Sequence, residues 1–300
     1  FFFKQKTAYE IYQCDWSSDV CSSDLRGHRS LRRRGIHRPG GFGKGCTGLR
    51  PNNLSSSNPR VQTLRRLIGR RSARSEAGLF VVQGHVLVGE AIAAGIDVRE
   101  VYVREGESEP VGTKVLPYFL DARTFDSVND TVTPQGVMAV CAVPVHGQPH
   151  VDDSSWFVVA HGVSDPGNLG TIIRSAEAAG AAGVIVTPDT VDVWSPKTVR
   201  ASAGSVFHVP VRQVGSLPEI SALGLELIGT SSHGEAESIH EANFAGPIAV
   251  VLGNEAHGLG DDEPVDRWVT IPHAGRAESL NVAMAASIIA VQIAHARRRS

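Results

Sequence analysis

The stretch "DPGNLGTIIRSAEAAG", residues 165–180, decides the fold class of this chain. It follows the apolar run "WFVVAHGV", which has the length of a buried strand. Within it, Leu169, Ile172, Ile173 and Ala176 keep the spacing of one buried helical face. A strand that turns directly into a helix is the repeating unit of a parallel sheet. The turn lacks the three-glycine pattern of a dinucleotide-binding loop, so it predicts a different ligand.

The same alternation continues to the end of the chain. "GVIVTP", "LELIGTS", "PIAVVLG" and "RWVTIPH" are strand-sized apolar runs. The segment "SPKTVRASAG" predicts a helix with Ser195 as its N-cap and Pro196 in its first turn. Short apolar strands between helices predict a mostly parallel sheet that is covered on both faces. "SLNVAMAASIIAVQIAHA" predicts a long final helix, whose inward face is expected to consist of Val282, Ala285, Ala286 and Ile289.

A smaller α/β block precedes this one. "VQTLRRLIGRRSARSEAG" predicts a helix with Leu64, Leu67 and Ile68 on its apolar face, and ordered sequence is expected to begin near Val61. "LFVVQ", "VREVYV" and "TPQGVMAVCAVP" predict strands, and "GHVLVGEAIAAG" predicts a helix that ends at Gly95. The expected division is a leader over 1–58, the small α/β domain over 59–143, a linker over 144–152 and the larger α/β domain over 153–300.

The leader does not enter the fold prediction. Its first 25 residues fit neither a signal peptide nor a sustained helix or strand period, and they resemble translated read-through of a sequencing adapter. Residues 26–58 are rich in Arg, Gly, Ser and Asn, which predicts a flexible or spurious segment. Residues 1–75 hold 16 Lys and Arg against 4 Asp and Glu, and the remainder holds 13 against 27. A basic N-terminal quarter is suited to a polyanion, although a solvated tail explains it as well.

Several classes of site are excluded by composition. Four cysteines without a paired spacing predict neither a zinc site nor a disulfide framework, and a reducing, cytoplasmic location is expected. No apolar run approaches the roughly 20 residues that cross a bilayer, so no membrane association is expected. Four histidines near the predicted sheet edge fit no metal pattern and are expected to be loop or core residues: His161, His233, His257 and His273.

Polar residues of the larger block concentrate in four loops that follow its strands: "DPGNLGTIIR", "GTSSHG", "LGNEAHGL" and "IPHAGRAESLN". Because ligands of parallel α/β sheets bind beyond the carboxyl ends of the strands, these loops are predicted to form one site. Neither a Walker loop at the correct spacing nor a GxSxG elbow is present, which argues against a nucleotide-hydrolysing or serine-hydrolase site.

Three of these segments carry a resemblance to a known family. "DPGNLGTIIRSAEAAG", "VLGNEAHGL" and "IPHAGRAESLNVAMAASIIA" resemble, in order, the three signature motifs of the SpoU (TrmH-like) branch of the SPOUT RNA methyltransferases. The resemblance implies an α/β catalytic domain with a deep trefoil knot, S-adenosylmethionine as cofactor, and a homodimer packed through that domain. The preceding block resembles the L30e-like substrate-binding domain of ribosomal RNA 2'-O-methyltransferases, although Gln83 stands where that family commonly has Glu.

The motifs carry the family's site positions onto this chain. The implied catalytic positions are Asn168, Arg174, Glu255, Ser279 and Asn281. The family holds its cofactor largely through backbone groups, which correspond here to Gly253, Ile271 and Leu280, with the loop around Thr230 lining the adenosine pocket. No metal is implied. The N-terminal block is expected to contact RNA phosphate through Arg65, Arg66, Arg70, Arg71 and Arg74, unless these side chains only keep a helix soluble.

Methyl transfer to a ribose 2'-hydroxyl needs in-line alignment, exclusion of water and stabilisation of negative charge on the attacking oxygen. Arg174 is suited to that last task, and we interpret it as a phosphate clamp and alkoxide stabiliser, since a guanidinium releases its proton very reluctantly. Purely structural roles are also open at this point. Asn168 and Ser279 could be helix caps, Arg174 a solvated helix residue, and Glu255 a first-turn carboxylate.

The sequence therefore predicts an S-adenosylmethionine-dependent RNA 2'-O-methyltransferase that acts on ribosomal RNA, with 23S rRNA as the expected substrate. Methylation of tRNA is an alternative. A second alternative is an RNA-binding or ribosome-assembly factor that has lost turnover, against which the complete set of five positions argues. An unrelated α/β hydrolase is disfavoured because the nucleophile elbow is missing.

Overall fold

The computed structural model describes residues 52–131, 133–231, 236–276 and 278–299. Most of the expected leader, and with it Cys14, Cys21 and Cys46, lies outside these ranges, as does His233. Ordered structure begins earlier than Val61. The Leu54 amide donates to the Phe119 carbonyl (2.9 Å), and the Phe119 amide donates to the Asn52 carbonyl (3.0 Å). The described part of the expected leader, residues 52–58, thus contributes to the edge of the first sheet.

The first sheet has four strands in the order β1-β4-β2-β3. Its pairs β1/β4 and β2/β4 are antiparallel and β2/β3 is parallel. The elements of this block are α1 (Pro59–Gly69), α2 (Arg71–Ala77), β1 (Leu79–Gln83), α3 (His85–Ala93), β2 (Val98–Arg104), β3 (Tyr118–Leu120), α4 (Ala122–Val128) and β4 (Val137–Ala142).

The single helix predicted over "VQTLRRLIGRRSARSEAG" is wrong, because the chain breaks at Arg70. That residue is extended (φ −132°, ψ 122°), and α1 and α2 lie on either side of it. Leu64 and Leu67 are buried as the periodicity predicts, and Ile68 is half-buried. The sequence analysis also missed β3 and α4, whose short runs are too brief to show a period.

The second sheet has seven strands in the order β7-β6-β5-β10-β8-β11-β9, and all six pairs are parallel. This confirms the predicted parallel sheet. Its elements are β5 (Trp156–Ala160), α5 (Pro166–Ala178), β6 (Gly183–Val186), α6 (Pro196–Ala201), a 3₁₀ turn (Ser205–Phe207), β7 (Val211–Gln213), α7 (Leu217–Ser221), β8 (Glu226–Thr230), β9 (Glu237–Ser238), β10 (Ile248–Leu252), β11 (Arg267–Thr270) and α8 (Val282–Arg297).

The final helix, α8, buries two of the four residues predicted for its inward face, Ala286 and Ile289, but its buried face is rotated from the predicted one. Val282 and Ala285 are only partly buried. The helix is apolar on nearly every side, so hydrophobic periodicity cannot fix its rotation, and packing against α5 decides it. The fully buried side chains are Ala283, Ala286, Ile289, Ala290 and Ile293.

The two sheets are joined through residues that precede and form α6. Arg74 is 6% exposed and contacts the Asp192 carboxylate (2.6 Å), while its Nη1 donates to the Leu67 carbonyl (2.6 Å). The Phe80 and Trp194 rings pack 4.6 Å apart. The expectation that Arg74 contacts RNA phosphate is therefore wrong, since a buried guanidinium with an ion-pair partner is part of the domain interface.

No helix in the described ranges combines the length and apolar character that a bilayer crossing requires.

Candidate active site

The four loops expected at one edge of the second sheet do follow parallel strands. Residues 161–165 follow β5, Ser231 follows β8, Gly253 follows β10 and Ile271 follows β11. Residues 232–235 of the loop after β8 lie outside the described ranges. Because all these strands run parallel, their carboxyl ends share one edge, and side chains far apart in sequence meet there.

Three of the five predicted catalytic positions form a chain of hydrogen bonds. The Asn281 amide nitrogen donates to the Asn168 side-chain oxygen (3.1 Å), and the Asn168 amide nitrogen donates to Glu255 Oε1 (3.0 Å). Each residue comes from a different motif. The Asn168 amide is thus held at both its ends, which fixes its orientation at the edge of the sheet.

Glu255 collects donors from the first loop. Its Oε1 also accepts from the Asp165 amide (3.0 Å), and its Oε2 accepts from the Ser164 amide (2.9 Å). Burial alone would raise the pKa of Glu255, but the hydrogen bonds from Ser164, Asn168 and Asp165 outweigh it and hold the pKa below its ordinary value. The carboxylate is therefore ionised at neutral pH, where it orients Asn168 and makes a poor proton acceptor.

Helix capping explains how the sequence places these side chains. Asp165 is the N-cap of α5, and its Oδ1 accepts from the Asn168 amide (2.9 Å), with Pro166 as the first helical residue. The purely capping role considered for Asn168 is therefore excluded. Asn281 caps α8 through its side-chain oxygen, which accepts from the Ala283 amide (2.9 Å), so Ser279 is not the cap of that helix.

Arg174 and Ser279 are exposed, and the structure brings neither into the hydrogen-bonded chain. Within the described ranges, neither side chain makes a hydrogen bond or ion pair. Arg174 lies on α5, six residues after Asn168, so the two side chains project from different sides of the helix. The guanidinium is available to a ligand, whereas Ser279 stands two residues before the cap of α8.

The loop after β10 folds tightly back on itself. Asn254 and Gly258 exchange both backbone hydrogen bonds (2.9 Å each), and Gly258 has a positive φ of 67°. A Cβ on Gly253 would lie closer to the backbone of Gly258 and Leu259 than the 3.0 Å that real Cβ atoms keep. Only glycine permits this approach of two main-chain segments. Gly253, the predicted backbone position for a cofactor, thus belongs to a tightly closed turn over residues 253–259, which we call the cradle.

The other predicted cofactor positions lie at the same edge. Thr230 is the last residue of β8, and its hydroxyl donates to the Val251 carbonyl (2.9 Å). Ile271 directly follows β11, and Leu280 directly precedes the cap of α8; both are half-buried. Their roles toward a cofactor stay predictions.

The sequence analysis missed residues that hold the site together. The Asn254 amide nitrogen donates to the Gly162 carbonyl (2.7 Å) and to the Ser164 hydroxyl (3.0 Å), which ties the loop after β10 to the loop after β5. Asp165 supplies the cap described above. Both were readable in principle, because Asp before Pro is a helix-start signal and Asn is a preferred turn residue.

The site does not coincide with two clefts of the described chain. One cavity of about 400 Å³ lies beneath the linker segment 145–150, and another of about 300 Å³ lies between α5 and α8. Neither is lined by the hydrogen-bonded residues, so polar geometry identifies the site rather than concavity. Among the described residues, no three His, Cys, Asp or Glu side chains are grouped to hold a metal ion.

Known proteins resemble both blocks of the chain. The pattern of the SpoU rRNA Methylase family matches residues 155–291, and that of an MRM3-like substrate binding domain matches residues 58–139. The 23S rRNA (guanosine(2553)-2'-O)-methyltransferase RlmP of Bacillus subtilis is 34% identical over 242 residues, which cover 78% of this chain and 96% of the relative. The 23S rRNA (uridine(2479)-2'-O)-methyltransferase of Streptomyces viridochromogenes is 32% identical over 259 residues, covering 79% and 89%.

Solved structures show the same likeness. The SpoU methyltransferase AviRb from Streptomyces viridochromogenes, in complex with the cofactor AdoMet, superposes with a TM-score of 0.72 at 31% identity, covering 81% of this chain and 100% of that one. An AdoMet-bound rRNA methyltransferase from Sinorhizobium meliloti superposes with a TM-score of 0.72 at 29% identity, covering 82% and 97%.

Proposed function

Since the chain belongs to the SpoU family of rRNA methylases, we propose that it transfers the methyl group of S-adenosylmethionine to a ribose 2'-hydroxyl of 23S ribosomal RNA. The hydrogen-bonded chain Asn281–Asn168–Glu255 carries this proposal, because it assembles one residue from each of three motifs at the ligand-binding edge. The two curated relatives described above are both named 23S rRNA 2'-O-methyltransferases.

The residues present fit S-adenosylmethionine. The cradle places backbone groups of Gly253 at the ligand-binding edge of the sheet, where Thr230, Ile271 and Leu280 also lie. The cofactor supplies an electrophilic methyl group on a sulfonium. We assign its binding to backbone groups of these loops, which the exchanged hydrogen bonds of Asn254 and Gly258 hold in place.

In the proposed mechanism, Arg174 provides the positive charge. Its exposed guanidinium binds the RNA backbone and stabilises negative charge that develops on the 2'-oxygen. Asn168, held between Asn281 and the ionised Glu255, presents its amide edge to the ribose, and Ser279 adds a hydroxyl beside it. The 2'-proton leaves to water or to an acceptor on the RNA, since the lowered pKa of Glu255 makes it a weak base.

Incubation with tritiated S-adenosylmethionine and separate 23S, 16S and transfer RNA, followed by mapping of the modified position, tests the proposal. Label in a single 23S position is the expected result. Label confined to transfer RNA would support the tRNA alternative, and uptake of S-adenosylmethionine without label in any RNA would support the factor that has lost turnover.

Replacing Asn281 by aspartate separates capping from positioning. Aspartate caps helices as well as asparagine does, so α8 is expected to remain stable. The donor to Asn168 is lost, however, and a carboxylate then faces its carbonyl oxygen. We expect kcat to fall at least about tenfold, with a melting temperature close to that of the parent. Asn243→Asp, at an exposed loop position where the side-chain oxygen accepts from the Ala245 amide, is the control. Parent-like kcat in Asn281→Asp would remove the positioning role from the account.

We assign RNA binding by the N-terminal domain, residues 59–143, to the exposed arginines of α1 and to those that directly follow it. Among the described residues, Arg65 hydrogen-bonds to Gln62 and Ser127 and Arg66 to Thr63, all at exposed sites. Arg70 is exposed as well. Such arginine side chains can readily exchange these hydrogen-bond partners for an RNA phosphate. Arg71 donates to the Thr190 carbonyl (3.2 Å) and so also supports the domain interface.

The deep trefoil knot of the catalytic domain stays a prediction.

The proposed homodimer uses the outer face of α8. Met284, Ile288 and Val291 are 63%, 41% and 67% exposed and follow one another at helical spacing. A second copy of this chain is the occupant we assign, because such a face can pair with itself about a twofold axis. Val291→Glu is expected to shift the protein from dimer to monomer in sedimentation at micromolar concentration. Val111→Glu, at a 92% exposed position elsewhere, should leave the dimer intact. A monomeric parent protein would refute this assignment.

A further inference from the structure

Helix α6 lies between the active site and the N-terminal domain and is packed closely against α5. A Cβ on Gly170 of α5 would meet the Ala201 side chain and, at 2.7 Å, the Thr198 carbonyl. The absence of a side chain at Gly170 thus sets the distance between the two helices. The same C-terminal end of α6 is also held by Arg200, which contacts both carboxylate oxygens of Asp130 (2.8 and 3.2 Å) and bonds Gln83. Helix α6 therefore occupies a fixed position beside Asn168.

The exposed cation of this helix is Lys197. Its ammonium nitrogen lies 3.4 Å from Oδ2 of Asp165, the cap of α5, and the two side chains are 61% and 48% exposed. An exposed pair of this kind contributes little to stability, so the lysine can exchange its partner readily. The pKa of Asp165 is lowered first by the Asn168 amide, with Lys197 a smaller cause, so Asp165 keeps its capping partner when the lysine moves.

The charges around the site create a need for such a cation. The carboxylates of Asp165 and Glu255 both lie within hydrogen-bonding distance of Asn168 groups. A phosphate that approaches the ribose site meets these two negative charges, and cations must compensate for them. Lys197 is the single lysine within residues 153–300. Its partner Asp165 stands three residues before Asn168, which we assign to the ribose.

We propose that Lys197 is a positioning residue that leaves Asp165 and binds an RNA phosphate next to the methylated nucleotide, on the side facing the N-terminal domain. This inference rests on the proposed function. Arg200 does not take part directly, because it is occupied by Asp130 and Gln83. Its contacts with Asp130 and Gln83 instead fix the position of the N-terminal domain relative to α6. RNA bound by that domain therefore passes Lys197 before it reaches Asn168.

The test compares Lys197→Gln with Lys197→Arg and with Lys114→Gln, which removes the other lysine among the described residues. For Lys197→Gln we expect KM for RNA to rise about tenfold with kcat within twofold of the parent. The slope of log affinity against log salt is expected to fall by about 0.7, the value for one phosphate on a single strand. Lys197→Arg should restore both quantities, and Lys114→Gln should change neither. A parent-like KM and salt slope in Lys197→Gln would overturn the proposal.

A purely structural ion pair is distinguished by Asp165→Asn, which preserves the helix cap and frees the lysine. If Lys197 binds phosphate, this variant should bind RNA at least as tightly as the parent. If the pair itself matters, it should weaken RNA binding as much as Lys197→Gln does, which would contradict the inference. Salt-dependent RNA binding is measured without turnover. A parent protein that binds RNA but transfers no methyl group would therefore refute the proposed function, and the RNA-binding comparison could still be interpreted.

Discussion

Arg174→Ala is expected to lower methyl transfer to RNA by about a thousandfold while the affinity for S-adenosylmethionine stays within twofold of the parent. The side chain is exposed and makes no hydrogen bond or ion pair within the described ranges. Its removal therefore leaves no group of the described residues unpaired. What is lost is the positive charge beside the 2'-oxygen, and removal of one donor to a developing oxyanion typically costs 10²–10³ in kcat.

Single-turnover rates with saturating RNA, together with calorimetric titration of the cofactor, measure the two quantities separately. Arg174→Lys keeps the charge but loses the planar fork of donors, so it should recover only part of the rate. Arg99→Ala, which removes an exposed arginine paired with Asp97 in the N-terminal domain, is the matched control and should behave as the parent. Turnover by Arg174→Ala at the parent rate would remove the arginine from the mechanism.

The second large effect is expected at Gly253. Alanine there would place a Cβ against the backbone of Gly258 and Leu259, where no side chain can rotate away. The loop would have to open, and the two hydrogen bonds between Asn254 and Gly258 would break. Since this loop lines the proposed cofactor cradle, we expect the dissociation constant for S-adenosylmethionine to rise at least about a hundredfold.

Calorimetry and thermal unfolding of the same sample separate loss of the cradle from loss of the fold. Gly89→Ala is the control, because a Cβ at that helical position meets nothing within 4 Å. It should bind the cofactor as the parent does and gain slightly in stability. A Gly253→Ala protein that is folded and binds S-adenosylmethionine with parent affinity would show that the cradle is not the cofactor site.

The sequence was sufficient to predict which loops meet. Apolar strands that alternate with helices require a parallel sheet, and a parallel sheet brings the loops containing Asn168, Glu255 and Asn281 to one edge. The resemblance to the SpoU family then assigned a chemistry to that edge, and the comparisons confirmed the family. These inferences succeeded because they depend on periodicity and chain direction, which are local properties.

Features that depend on packing between elements could not be predicted. The rotation of α8 was misassigned because nearly every side of it is apolar. Arg74 looked like a surface cation in a basic run, yet Asp192, more than a hundred residues away, holds it in the domain interface. The cap of α5, by contrast, was readable from the sequence, because Asp165 precedes Pro166 and Asp before Pro is a helix-start signal.

The most direct test of the central claim is the chemical identity of the product. RNA methylated by the purified protein with S-adenosylmethionine should be digested to nucleosides and analysed by mass spectrometry. The account requires that the added methyl group remain with the ribose fragment, as a 2'-O-methylnucleoside, in a yield that depends on Arg174. A methyl group found on a base, or RNA that stays unmodified while the cofactor is bound, would contradict it.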